Sequence, residues 1–124
     1  MGVGCSQKHV LMAQAAVIAD GATAGYRGIG PCDSALFCFR VSTQTTPGDT
    51  VVFTVEFQDE DDAQWYPIAS TPAMDDTSLP LYTTALAVPP DRMIRISYDV
   101  TTYYAPVDSI TFGCFVLETN GAHP

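Results

Sequence analysis

Apolar and polar residues alternate along much of the chain, and a period of two marks a half-buried β-strand. In TVVFTVEFQ, Val51, Phe53, Val55 and Phe57 share one face, and Val52, Thr54, Glu56 and Gln58 share the other. In RMIRISYDV, Ile94, Ile96, Tyr98 and Val100 alternate with Met93, Arg95, Ser97 and Asp99. SALFCFRVS places Phe37, Phe39 and Val41 opposite Leu36, Cys38 and Arg40. SITFGCFVLE (Ser109–Glu118) is apolar on both faces, so it reads as a central or interface strand. Shorter strands are predicted at Gln64–Ala69, Leu79–Ala87 and Val10–Ala19. The last of these contains the helix formers Met12, Ala13, Ala15 and Ala16, but is read as strand.

Turn signals separate these runs: Pro-Gly in TTPGDT, the loop STPAMDDTSLP, the paired prolines of VPPDR, and TYYAPVDS. About seven to eight short strands at this spacing predict an all-β fold, an antiparallel β-sandwich of jelly-roll or Ig-like type. The stretch Ala19–Asp33 holds four glycines and one proline and reads as a linker. Residues 1–33 are therefore expected to form an extended N-terminal arm and linker, and residues 34–124 the sandwich domain. An apolar segment on such a hinge can pair with its own sheet or with a neighbour's.

Composition narrows the function. The 124 residues are 47% apolar and only 15% charged, so apolar atoms must cover part of the surface, and large exposed apolar patches mark partner sites. Fourteen acids against five bases give a net charge of −9, which disfavours nucleic acid and anionic membrane surfaces as partners. No apolar run reaches the length of a transmembrane helix. The N-terminal apolar stretch is broken by His9 and Gln14 and does not read as a signal peptide. MGVGCS matches the short myristoylation pattern and is read as a chance match. Cys5, Cys32, Cys38 and Cys114 lack zinc or redox spacing and read as reduced thiols.

The most chemical stretch is QDEDDAQW, with Asp59, Glu60, Asp61 and Asp62 in a row before the single Trp. Asp59, Asp61 and Asp62 are a weak candidate calcium site, because Ca²⁺ takes carboxylate oxygens; the EF-hand spacing is absent, with Ala at position 63. Adjacent solvated carboxylates keep ordinary pKa values and make poor general acids. The two histidines, His9 and His123, lie near the ends of the sequence with no nucleophile motif beside them. The chain is therefore expected not to be an enzyme and to need no cofactor. The acid run reads as the wet tip of a hairpin, with Trp65 placed to cap the sandwich core or, alternatively, to stack on a ligand.

VVFTVEFQDEDDAQWYPI resembles the hairpin of small β-sandwich structural proteins from tailed bacteriophage virions, in which an alternating strand ends in an acidic turn and a Trp. VPPDRMIRISYDV resembles the companion strand, with Arg92, Ile94, Arg95 and Ile96 as its Arg-apolar repeat. The likeness covers Val51–Val100 and departs from the pattern at Ala63, where the acidic turn lacks its Gly. It implies a homo-oligomeric capsid decoration or cement protein on the outer virion surface, assembled in the host cytoplasm and bound to the major capsid protein or another virion protein. Other head-tail or tail components fit the same pattern. An extracellular carbohydrate-binding sandwich using Trp65, Tyr103 or Tyr104 is the alternative from a different class.

Overall fold

The computed structural model describes residues 6–27, 34–59, 61–78, 80–82, 93–104 and 107–119. Its strands are β1 (Ser6–Val17), β2 (Gly21–Ala22), β3 (Tyr26–Arg27), β4 (Ser34–Gln44), β5 (Thr50–Gln58), β6 (Trp65–Ser70), β7 (Leu81–Tyr82), β8 (Met93–Thr101) and β9 (Ile110–Thr119). Sheet A runs β1-β9-β4-β7; sheet B runs β2-β8-β5-β6, with β3 also on β8. Every pairing is antiparallel.

The short β2 and β3 both pair with β8 and act as one interrupted strand. Counted so, the pairings are first with last, second with seventh, third with sixth and fourth with fifth. That nesting is the jelly roll, a long antiparallel hairpin wrapped into two sheets. It decides between the two sandwich types that alternation alone leaves open. Residues 1–33, set apart in the sequence as arm and linker, include β1, β2 and β3, which pair within the two sheets.

The core comes from the inward positions of four long strands. Phe37, Phe39, Val41, Val51, Phe53, Val55, Ile94, Ile96, Phe112 and Val116 are buried, the faces that alternation marks in β4, β5 and β8. Phe53 of sheet B stacks on Phe39 of sheet A at 4.9 Å and meets the edge of Phe112 at 5.0 Å. Tyr98 closes the row against Phe112 at 5.1 Å. Such pairs add about 0.5–1.5 kcal/mol beyond the area they bury.

Each sheet edge is blunted differently. Leu11 is an extra residue in β1 between the pairs Val10↔Phe115 and Met12↔Cys114, and Ala13 with Gln14 face Gly113 alone before Ala15↔Phe112. These are bulges. Gly113 makes the second possible, because a Cβ there would lie 2.8 Å from the Met12 carbonyl oxygen and 3.0 Å from the Gln14 nitrogen. β6 carries Pro67, and β2 and β3 span two residues each. Bulges, prolines and short edge strands all discourage strand addition.

Candidate functional site

The acid run lies at the β5–β6 hairpin, as alternation on both flanks predicts. Gln58 pairs with Trp65, and Asp59 N–H donates to the Gln64 carbonyl at 2.9 Å. Ala63 N–H donates to the Asp59 carbonyl at 2.9 Å, and Ala63 holds a φ of 58°. This is the left-handed position usually given to glycine.

The carboxylates hold the turn itself. Asp62 accepts Gln64 N–H at 2.9 Å and the Tyr66 hydroxyl at 2.7 Å, and Asp59 accepts Asp61 N–H at 3.3 Å. The Gln64 bond, then the Tyr66 bond, hold the Asp62 pKa below its ordinary value, while the same hydroxyl bond raises that of Tyr66. Among the described residues, no group of three or more His, Cys, Asp or Glu side chains is placed to hold a metal ion. Glu60 lies outside the described residues.

Trp65 does not cap the core. It pairs with Gln58 on the outer face of sheet B, and Arg95 lies 4.3 Å over its ring. Arg95 Nε also donates to Glu56 at 2.8 Å across the β5–β8 register. The reason is parity: the turn returns the chain with Tyr66, not Trp65, opposite inward-facing Phe57, and those two rings sit 5.8 Å apart. One ring face of the ligand-stacking candidate is thus occupied by a guanidinium. His9 stacks on Tyr26 at 3.9 Å between the edges of the two sheets; His123 is outside the described residues. Cys38 and Cys114 are buried free thiols, and burial, then the nearby Cys38, push the Cys114 thiol to about 12. Cys5 and Cys32 lie outside the described residues.

The opposite end of the sandwich carries a more specific arrangement. Thr46–Asp49 is a type II turn: Asp49 N–H donates to the Thr46 carbonyl at 3.1 Å, with Pro47 and then Gly48 at φ 99° between them. The fully buried Asp49 carboxylate accepts Thr46 N–H at 3.2 Å and Tyr103 N–H at 2.9 Å. Buried Asp108 accepts Tyr104 N–H at 3.3 Å, while its own N–H donates to the Tyr104 carbonyl at 2.9 Å. The Tyr103 ring lies against Gly48, where a Cβ would come within 2.5 Å of it.

Two buried carboxylates thus hold the amides of Tyr103 and Tyr104, beside hydrophobic groups that stand in water. Tyr103 is 69%, Tyr104 65% and Val107 78% exposed. The tyrosine rings sit 6.4 Å apart. Burying a carboxylate is costly unless it is well hydrogen-bonded. Asp49 and Asp108 meet that condition through the backbone N–H bonds they accept. Sequence reading marked Tyr103 and Tyr104 as a sugar-stacking alternative. It missed Asp49, whose bond to Tyr103 joins distant segments, and Asp108, whose bond to Tyr104 spans four residues within one turn.

Among the described residues, the strands define an eight-stranded jelly-roll sandwich with Tyr103 and Tyr104 exposed at this end. Comparison with protein-family profiles, curated proteins and solved structures gave no match.

Proposed function

We propose that the chain is a non-enzymatic structural protein that attaches to a protein lattice through the Tyr103–Tyr104–Val107 end. In its particular form the proposal is a homo-oligomeric capsid decoration or cement protein on the outer surface of a tailed-phage virion, bound to the major capsid protein. The exposed Tyr103 and Tyr104, whose amides are held by buried carboxylates, carry it. Binding hot spots are enriched in tyrosine, and fixing it before contact lowers the entropic cost of binding. The resemblance of Val51–Val100 to phage sandwich proteins and the net charge of −9, disfavoured beside packaged DNA, support the same reading.

The test is co-sedimentation with purified capsids lacking the protein. Wild type is expected to bind to saturation, and Tyr103→Ala/Tyr104→Ala to lose affinity about tenfold or more at unchanged melting temperature. Wild-type protein that stays in the supernatant sinks the proposal. The adjacent exposed tyrosines also favour a second reading, a carbohydrate-binding module that stacks sugar rings on them. A glycan array bound by wild type but not by the double variant would select it.

A further inference from the structure

We infer that the partner surface taken by the Tyr103–Tyr104–Val107 end is cationic, with arginine side chains that lie on the tyrosine rings and face the carboxylates around them. The inference rests on the attachment reading above and names the chemistry of its partner.

Register decides what stands at this end. Val17 and Gln44 both pair with Ile110, and Thr50 pairs with Thr101, so the segments after β1, β4 and β8 leave the sheets together. The segment after β6 joins them: Met74 bridges Val51, and Asp76 N–H donates to Gln44 Oε1 at 2.8 Å. Of the seven exposed large hydrophobics among the described residues, four stand here: Ile18, Tyr103, Tyr104 and Val107. Hydrophobics exposed singly are ordinary, whereas several gathered on one surface mark a partner site.

Charge selects the partner. Asp20, Asp76 and Asp99 are exposed at this end. Asp20 is placed by accepting Val100 N–H at 2.7 Å, and Asp99 stands two residues before the end of β8. Every described Lys and Arg is elsewhere. Lys8 and Arg27 pair with Leu117 and Met93 at the opposite end, and Arg40 and Arg95 pair with Gly113 and Glu56 within the strands. A surface of hydrophobics and carboxylates repels an acidic partner, a second copy of itself included, and attracts cations.

The rings favour the same partner. Within this chain Arg95 lies 4.3 Å over Trp65, and Lys8 Nζ lies 4.3 Å over Phe115. A guanidinium is planar, stacks on aromatic faces and pairs with carboxylates, so arginine meets both features of this end at once. The hairpin tip at the other end is acidic too, but its Asp62 is spent on Gln64 N–H and the Tyr66 hydroxyl, and the Tyr66 ring packs on Phe57.

Nuclear magnetic resonance titration of the full chain with acetyl-hexaarginine amide at low salt tests this. Saturable amide shifts are expected, largest at Tyr103, Tyr104 and Asp76. Asp76→Asn/Asp99→Asn removes two exposed charges and is expected to weaken binding about threefold or more at unchanged melting temperature. Tyr103→Ala/Tyr104→Ala should weaken it as well, and hexalysine should bind less tightly than hexaarginine. Shifts centred on Asp61 and Asp62, or equal affinity in Asp76→Asn/Asp99→Asn, overturn the inference. Capsid binding is read separately. Attachment of equal strength at about 50 and about 500 mM salt refutes only the cationic partner. Hexaarginine binding at Tyr103 by a chain that ignores capsids refutes only the attachment proposal.

Discussion

Asp49 Oδ1 accepts the backbone N–H of Tyr103 at 2.9 Å from a position with no solvent exposure. Fifty-four residues separate the two. The bond ties the β4–β5 turn to the β8–β9 loop and sets where both exposed tyrosines stand. Asp49→Ala leaves the Tyr103 and Thr46 amides without this partner and is expected to cost about 2–4 kcal/mol, near 1–2 per lost bond. Asp49→Asn, with one acceptor oxygen, should fall between. Denaturant midpoints measure the loss, and faster amide exchange at Tyr103 would localise it; equal stability of Asp49→Ala and wild type would deny the carboxylate this role.

Ala63 occupies a left-handed turn position with a φ of 58°. Ala63→Gly removes the Cβ clash but frees the unfolded chain, so a net gain of about 0.5–1 kcal/mol is expected. A lower denaturant midpoint for the glycine variant would contradict it.

The Tyr66–Asp62 bond couples two titrations. Asp62 sits below its ordinary value, so its contribution is present above the unfolded carboxylate pKa and is lost as pH falls through the folded one. Tyr66 sits above its ordinary value, so its contribution is complete below the unfolded phenol pKa and is lost as pH rises through the folded one. Ultraviolet titration should place Tyr66 above 10.0 in wild type and move it toward 10.0 in Asp62→Ala. An unmoved phenol would remove the coupling.

Cys114 should resist alkylation in the folded protein. A thiol pushed to about 12 is about one ten-thousandth thiolate near pH 8, and burial bars the reagent as well. Peptide mapping after brief iodoacetamide treatment should find this site unlabelled until denaturant is added. Rapid native labelling at Cys114 would show that the strand opens.

Gly113→Ala drives a Cβ to 2.8 Å from the Met12 carbonyl oxygen, so the β1 bulge must lift. The expected loss is about 1–3 kcal/mol, as for other overpacked sites. Faster amide exchange confined to β1 would place the strain there; a midpoint equal to wild type would argue that β1 yields freely.

Period-two alternation determined the sandwich. The inward faces of β4, β5 and β8, the Pro-Gly turn at Pro47 and Gly48, and the acidic hairpin tip all follow from local sterics and the need to bury one face. Alternation is a property of neighbours in sequence, so it carries that much and no further. Trp65 shows the limit: whether it faces core or solvent depends on how the turn resets strand parity, and Ala63 does that in place of the expected glycine. The jelly-roll order depends on which edges meet. The Asp49–Tyr103 clamp depends on two loops brought together at one end. Those features are sums over long-range contacts, and no local pattern encodes them.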